Sequence, residues 1–272
     1  MSDITERNST APGQRYPSMV ELLPLRLKES LKRSWAEEFH KRIFSQMDRK
    51  VISQIFVKEN EEGIPLSIYM GLEIMKLLFD WSDEELIANL NFDLRVCYAL
   101  GLKNLGEIIV ETQALTDQRD KLLKYARKAS IEERAEIVKR LQPKDDERND
   151  SLLSSADLSN FFANFTKVKQ LKIVIDALKD FYSELPEVEK KWYEQMVRYY
   201  VKDDTERIIA RIKISEVNKH LHRLMAILLY FNEIYGSNPE LNRSEGFLEI
   251  RQALYHRYHF KSGKKNGSSR HE

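Results

Sequence analysis

Cysteine, glycine and proline are all scarce in this chain of 272 residues. The single cysteine is Cys97, which excludes an intramolecular disulfide and a zinc site built from cysteines. A lone thiol is also typical of a protein in a reducing cytoplasm. Nine glycines and seven prolines leave little turn chemistry for a fold of many strands. We therefore predict a mostly α-helical protein.

Long apolar runs are missing as well. The longest stretches, such as residues 225–231, are far shorter than the ~20 apolar residues that a membrane span needs. The first fifteen residues contain several Ser and Thr, carry charges of both signs and lack the apolar core of a signal peptide. These features predict a soluble cytoplasmic protein with no membrane partner.

An excess of charge of one sign is also absent, because 44 basic and 43 acidic residues leave a net charge of +1. This balance neither supports nor excludes a nucleic-acid partner, since phosphate contacts depend on the local clustering of cations. Hydrophobic residues make up 42% of the chain and aromatic residues 10%, which is enough for a packed core. A wholly disordered chain is therefore excluded.

Several motifs of enzymes are absent too. The chain has neither of the phosphate-binding loops GxxxxGK[ST] and GxGxxG, and neither the GxSxG nucleophile elbow nor the HExxH zinc motif. His256 and His259 have a spacing that can ligate a metal, but no further ligand is evident. A histidine near the end of a helix is favourable without a metal. We expect no metal site in this chain.

What the sequence does contain is helical periodicity. Residues 64–102 are predicted to form three helices with short connections. The first helix has one apolar face, formed by Ile68, Leu72, Met75 and Phe79. Ser82, three residues before Glu85, predicts a capping box at the start of the second helix, and Gly101 predicts the end of the third. Such a unit is either a helix-turn-helix that places one helix in the major groove or a generic helical bundle, which periodicity alone favours.

Further helices are predicted on both sides of this unit. They are a basic helical region at 19–56, a charged helix at 117–141, and helices at 165–185, around 192–200, at 204–235 and at 247–260. The polar stretch 142–156 contains Pro143 and indicates a linker. The predicted organisation is a disordered tail (1–18), a helical amino-terminal domain (19–141), a linker (142–160), a second helical domain (161–260) and a disordered tail (261–272).

The segment 64–102 resembles part of a known family. It contains WSDEEL at 81–86, FDLR at 92–95 and ALGL at 99–102. Their order and spacing resemble the amino-terminal domain of InsH-type insertion-sequence transposases, which are DDE enzymes. The resemblance extends over roughly residues 20–260, although residues 106–146 match the usual linker of the family poorly. It implies a helix-turn-helix-like DNA-binding domain followed by a second helical domain.

The resemblance also implies a candidate catalytic residue. RNDS at 148–151 resembles the family's R-x-D-S segment, whose aspartate is the first of the DDE triad, and this favours Asp150. Asp157 instead fits the usual spacing to Asn164 and Leu171, so both aspartates remain candidates. Residues 165–260 then resemble the helical insertion of the family's catalytic domain. In the family the other two triad carboxylates follow that insertion, whereas this chain ends at Glu272.

Two-metal phosphoryl transfer needs several carboxylates around a pair of ions. We therefore expect this chain alone to bind no cofactor and to neither cut nor join DNA, while a complete enzyme would require Mg²⁺. The function that the resemblance implies is the DNA-binding portion of a DDE transposase in the transposition of an insertion sequence. Its partners would be duplex DNA at the terminal inverted repeats, a second copy of the chain, or a missing catalytic segment.

Seven cations are predicted to contact DNA phosphates because of their charge and their position relative to the matched motif. They are Arg26, Lys28, Lys32, Arg33, Lys41, Arg42 and Arg95. Two other functions remain open at this point. The first is a non-catalytic regulator of transposition, and the second is a helical protein-interaction module that does not bind DNA.

Overall fold

A computed structural model describes residues 17–47, 65–128 and 161–262. The described residues are mostly α-helical and contain no β-strand, so the predicted fold class is confirmed. The predicted linker at 142–160, with Asp150 and Asp157, lies outside the described residues, as do most of the two predicted tails. Within the described ranges, no helix is long and apolar enough to cross a membrane.

The α-helices are numbered here in chain order. They are α1 (Met19–Leu22), α2 (Leu25–Lys32), α3 (Trp35–Arg42), α4 (Leu66–Phe79), α5 (Asp83–Phe92), α6 (Leu94–Ala99), α7 (Thr112–Lys128), α8 (Phe161–Glu184), α9 (Glu187–Val201), α10 (Thr205–Ala210), α11 (Val217–Tyr235) and α12 (Glu245–Ser262). Short 3₁₀ turns lie at Phe44–Gln46, Ile214–Glu216 and Leu241–Arg243.

The basic region predicted at 19–56 begins with three short helices rather than one long one. Pro24 lies directly before α2, where a residue without an N–H group is tolerated and its fixed φ suits a helix start. Ser34 interrupts the helix again, because its hydroxyl donates to the Leu31 carbonyl at 2.6 Å and accepts from the Ala36 N–H at 3.3 Å. These local caps turn the chain twice, so the cations of this region do not share one helix face.

The three predicted helices of residues 64–102 are present as α4, α5 and α6. The predicted capping box is confirmed: the Glu85 N–H donates to the Ser82 hydroxyl at 3.1 Å, and the Ser82 N–H donates to the Glu85 carboxylate at 2.8 Å. Asp80, with φ of 50°, ends α4 in the left-handed conformation. Gly101, with φ of 71°, follows α6 and permits the turn that a residue with a Cβ would disfavour.

Two clusters of buried apolar side chains organise the described residues. The first is built by α2 to α7 and includes Phe39, Tyr69 and the first part of α8 through Phe165. The second is built by α8 to α12, and Phe181 lies at its centre, with ring centroids 5.4 Å from Phe231 and 5.5 Å from Phe247. Helix α8 therefore contributes to both clusters and connects them.

The single long helix predicted for 204–235 is wrong. The structure has α10, a 3₁₀ turn and α11 in its place. The interruption brings residues 211–215 against the start of α5: Arg211 Nε lies 3.0 Å from a Glu84 carboxylate oxygen, and the Ser215 hydroxyl donates to Asp80 at 2.7 Å. The apolar periodicity of the sequence continues through residues 211–215. The sequence therefore shows no sign of the break, because the contacts made there involve residues more than 120 positions away.

Candidate nucleic-acid interface

A shallow recess between α2 and α6 brings together two of the predicted phosphate-binding cations. Lys28 and Lys32 lie one helical turn apart on α2, so they share a face. Together with Val20 and Glu21 of α1, Leu31 of α2 and Tyr98 of α6, they line a cavity of about 260 Å³, so one acidic side chain faces the same recess. Leu31 is buried and fixes the rotation of α2, which directs the two lysines towards the rim of this recess.

Tyr98 connects the recess to α3. Its hydroxyl donates to the Glu37 carboxylate, which also forms an ion pair with Lys41 at 2.7 Å. Hydrogen bonds from Lys41 and Tyr98 lower the pKa of Glu37. Burial, together with the bond to Glu37, raises the pKa of Tyr98 to about 12, so the phenol keeps its proton at neutral pH. Lys41 is therefore linked through Glu37 to the half-buried Tyr98, which lines the recess.

The other four predicted cations do not line this recess. Arg26 of α2 and Arg33, the residue directly after α2, are exposed and lie seven positions apart, away from the face of Lys28 and Lys32. Arg42 forms an ion pair with Glu38 at 2.7 Å on α3. Among the described residues, Arg26, Lys28, Lys32 and Arg33 have no carboxylate within ion-pair distance, whereas Lys41, Arg42 and Arg95 do.

Arg95 is the predicted contact on α6 itself. Its guanidinium binds both carboxylate oxygens of Asp93, with Nη2–Oδ2 at 2.6 Å and Nε–Oδ1 at 3.0 Å. Asp93 also caps α6 by accepting the Arg95 N–H at 2.9 Å. Burial alone would raise the pKa of Asp93, but the hydrogen bonds from Arg95 lower it. A phosphate would have to replace Asp93 as the partner of Arg95.

Helix α6 offers little surface for reading base pairs. It has six residues, of which Val96, Cys97 and Ala99 are buried in the first apolar cluster. Leu94, Arg95 and Tyr98 keep access to solvent. Burial, together with the negative charges of Glu107 and Asp93, raises the pKa of the Cys97 thiol to about 11, so this cysteine is a packed core residue rather than a reactive one.

The sequence interpretation missed a second group of charged residues. Glu73 and Lys76 of α4, Asp83 of α5 and Arg119 of α7 are all buried beneath the three-helix unit. Arg119 donates to both Asp83 oxygens at 2.5 and 2.6 Å and to Glu73 at 2.8 Å. Lys76 donates to Asp83 at 2.5 Å. The two cations and two carboxylates form a compact, formally neutral network.

The pKa values of this buried network follow from its geometry. Burial raises the pKa of Glu73 and lowers that of Lys76. For Asp83, burial acts in the same direction as for Glu73, but the charges of Arg119 and Lys76 hold its pKa below the ordinary value. Asp83 is therefore the ionised centre of the network. The group joins α4, α5 and α7, and its closed position indicates support of the three-helix unit rather than direct contact with a ligand.

One signal for this network was present in the sequence. Glu73 and Lys76 are the only charged residues of the otherwise apolar stretch from Leu66 to Phe79, which is the pattern of a buried helix. Arg119, which binds Glu73 and Asp83, lies 46 residues after Glu73 in a charged helix with no distinguishing pattern. Its identity as the partner could not be read from helical spacing.

The catalytic expectations fall outside the described residues. Asp150 and Asp157 are not described, and within 17–47, 65–128 and 161–262 no group of three or more His, Cys, Asp or Glu side chains could hold a metal ion. Comparison with known proteins found no match to the chain among protein-family models, curated proteins or solved structures.

Proposed function

We propose that this chain binds duplex DNA and acts as the amino-terminal, end-recognising portion of a DDE transposase in the transposition of an insertion sequence. The observation that carries the proposal is the recess between α2 and α6, where Lys28 and Lys32 line the same cavity as Tyr98. Two cations that have no carboxylate partner among the described residues, on one face of α2, suit contact with the phosphates of DNA. Cutting of DNA would need the triad carboxylates and Mg²⁺ of a complete enzyme.

Some of the seven cations form ion pairs and others do not, and this difference suggests the order in which they would contact phosphates. Lys28 and Lys32 are available without breaking an ion pair with any described residue, so they would form the first phosphate contacts. Lys41 and Arg95 do not line the recess and are paired with Glu37 and Asp93. They would exchange these carboxylates for phosphates once DNA is bound. The buried network of Asp83 and Arg119 would keep α4, α5 and α7 in place during binding.

The test is a salt titration of duplex binding with matched charge reversals on α2. We expect the wild-type protein to bind a duplex that carries the inverted repeats flanking its gene, with an affinity that falls steeply with salt. The double variant Lys28→Glu/Lys32→Glu should weaken binding by about tenfold or more and make the logarithmic salt slope shallower by about 2. Fluorescence anisotropy with labelled duplex measures both quantities.

The matched control is Arg26→Glu/Arg33→Glu, which makes the same charge change away from the face of Lys28 and Lys32. This control should reduce the affinity for DNA less than Lys28→Glu/Lys32→Glu does, and the salt dependence of binding should stay close to that of the wild-type protein. An equal or larger effect of the control would place the DNA contact outside the recess. If the wild-type protein shows no salt-dependent binding to duplex DNA, the proposal fails as a whole.

A non-catalytic regulator of transposition would use the same DNA contacts. Supplying the protein together with a complete transposase separates the two functions, because a regulator lowers transposition in a manner that the Lys28→Glu/Lys32→Glu variant abolishes. A transposase component instead supports transposition with its catalytic partner.

A further inference from the structure

A cavity of about 200 Å³ lies between α7, α8 and α10, where the two apolar clusters meet. Helix α7 belongs to the first cluster, α10 belongs to the second, and α8 contributes to both. The walls of the cavity are mostly apolar and are formed by Leu123, Phe165, Val168, Ile173 and Ile209. Ile173 is 48% exposed, whereas Leu123, Phe165 and Ile209 are buried. The cavity thus extends from the surface at Ile173 towards the junction of the two clusters.

Two ion pairs lie at the rim of this cavity. Asp120 of α7 pairs with Lys169 of α8 at 2.7 Å, and Lys172 of α8 pairs with Glu206 of α10. The hydrogen bond to Glu206, together with the charges of Asp176 and Asp120, raises the pKa of Lys172 against the effect of burial. Both lysines therefore already have a carboxylate partner within the protein.

The remaining polar side chains of the cavity are also bonded within the protein. Asp176 accepts a hydrogen bond from the Thr205 hydroxyl at 2.7 Å, and the Thr116 hydroxyl donates to the Thr112 carbonyl at 3.2 Å. Arg119 binds the carboxylates of the buried network. The charges that line the cavity balance: Arg119, Lys169 and Lys172 against Asp120, Asp176 and Glu206. A charged ligand would have to displace one of these partners, so the lining favours an uncharged one.

The size and the walls of the cavity favour a ring system over water. A bound water needs roughly two to four polar partners, and the polar groups of this lining are bonded to other groups of the protein. An apolar protein cavity of about 150 Å³ is large enough to bind benzene. A cavity of about 200 Å³ therefore has room for one ring or for two fused rings.

Two side chains favour an aromatic ligand over an aliphatic one. Phe165 offers its ring for an offset or edge-to-face contact. The guanidinium carbon of Arg119 lies 6.0 Å from the centroid of the Phe165 ring, and both side chains line the cavity. Arg119 is buried, and a cation withdrawn from water attracts the face of an aromatic ring more strongly than an exposed cation does.

We propose that this cavity binds a small uncharged aromatic molecule of one or two fused rings, which contacts Leu123 of α7 and Ile209 of α10 at the same time. Because the ligand contacts both helices, it is bound only while the two apolar clusters keep their present spacing. Binding therefore stabilises the junction of the clusters. The proposal does not depend on DNA binding, because Lys28 and Lys32 line a different recess.

Isothermal titration calorimetry with indole, an uncharged molecule of two fused rings, tests the class of ligand. Indole should bind at one site per chain with a dissociation constant of about 0.1–1 mM, as expected for a ligand of its size. Indole-3-acetate and tryptamine carry the same rings with a negative and a positive charge, and each should bind at least about tenfold more weakly. Absence of saturable indole binding up to about 10 mM, or equal or tighter binding of either charged molecule, overturns the proposal.

A cavity-filling substitution tests the position of the ligand. Val168→Phe should weaken indole binding by about tenfold or more, because the larger side chain occupies the space of the ligand. Its circular dichroism spectrum and thermal unfolding verify that the variant is folded. The matched control is Val188→Phe, the same substitution at a 62% exposed position of α9, which should bind indole as the wild-type protein does. Equal binding by the two variants would place the ligand outside the cavity.

Val168→Ala changes the same wall in the opposite direction and does not add bulk to the core. The enlarged cavity should change the ratio of the affinities for 2-naphthol and indole by about threefold or more in favour of 2-naphthol, the larger molecule. An unchanged ratio would contradict binding against Val168.

Hydrogen exchange measures the effect of the ligand on the junction. At an indole concentration about ten times the dissociation constant, backbone amides of α7 and α10 that exchange through separation of the clusters should exchange up to about tenfold more slowly. Val168→Phe should show no such protection on addition of indole. Indole binding without slower exchange in either helix would overturn the proposed stabilisation of the junction. Indole binding that is the same in Lys28→Glu/Lys32→Glu as in the wild-type protein separates this proposal from the proposed DNA contact.

Discussion

At the level of single residues, Asp83 is the centre of the buried charge network in the three-helix unit. Its carboxylate accepts from Arg119 twice and from Lys76 once while it is almost wholly buried. Removing one partner of such a network leaves the others buried without compensation, which commonly costs 3–5 kcal/mol. Glu73 belongs to the same network, but burial already disfavours its ionised form.

This difference predicts unequal effects of two isosteric substitutions. Asp83→Asn should lower the free energy of unfolding by about 3 kcal/mol at pH 7, and Glu73→Gln by about 1 kcal/mol or less. Urea denaturation of both variants measures the difference. Each substitution replaces one carboxyl group of the same network by an amide of the same shape, so Glu73→Gln is the matched control. Equal losses would mean that Asp83 is not the ionised centre.

The pH dependence of the Asp83→Asn effect follows from the direction of its pKa shift. The folded-state pKa lies below the ordinary value of 3.8, so between the two pKa values the unfolded chain binds more protons than the folded one. Stability from Asp83 is therefore fully present above about pH 4 and is lost as the pH falls. The gap between wild type and Asp83→Asn should be largest at neutral pH and shrink below pH 4. A gap that widens on acidification would contradict this sign.

At the level of helices, local signals predicted much of the fold. The apolar face of α4 and the capping box at Ser82 and Glu85 were readable because both depend on residues three or four positions apart. The ion pairs of Lys41 with Glu37 and of Arg42 with Glu38 also have the spacing of helix neighbours. Contacts between distant segments could not be predicted from the sequence. An example is the hydrogen bond from Tyr98 to Glu37, two residues that are 61 positions apart.

Gly246 is a second position where contact with a distant segment, rather than the local sequence, determines which residue fits. It lies in the first turn of α12, where replacing glycine by alanine normally stabilises a helix. A Cβ at this position would lie 2.5 Å from the Phe181 nitrogen and 2.6 Å from its Cα, both backbone atoms of α8. The close approach is held by Glu184, whose carboxylate accepts the Gly246 N–H at 3.0 Å. The two helices would have to separate to admit a methyl group.

We therefore predict that Gly246→Ala destabilises the protein by about 1–3 kcal/mol, as expected for overpacking in a core. Intrinsic helix preference alone would predict the opposite, a stabilisation by alanine. Thermal unfolding of Gly246→Ala is to be compared with Gln252→Ala, which changes an exposed residue of the same helix. A stabilised Gly246→Ala variant would show that α8 and α12 are not in the close contact described.

At the level of the whole molecule, polar contacts join the second apolar cluster to the three-helix unit. Arg211 bridges Glu84 and Asp203 at 3.0 and 2.5 Å, and Lys213 lies 3.3 Å from Glu85. Ser215 donates its N–H and hydroxyl to Asp80 at 3.1 and 2.7 Å. Beside this joint, a cavity of about 200 Å³ lies between α7, α8 and α10. The joint is thus mainly ionic and is sensitive to screening by salt.

The contacts of Arg211, Lys213 and Ser215 hold the segment between α10 and α11 against the start of α5. Loss of these contacts should therefore open this segment locally. We predict that Arg211→Gln speeds hydrogen exchange of the backbone amides at 212–217, with little change in the Phe181 region of α8, because the second apolar cluster does not depend on Arg211. Raising the salt concentration should speed exchange at the same amides in the wild-type protein and have a smaller additional effect in the variant. The matched control is Arg207→Gln, which removes the same charge from α10, where Arg207 forms no ion pair with a described residue. If both variants open the segment equally, net charge rather than the contact of Arg211 with Glu84 and Asp203 holds the joint together.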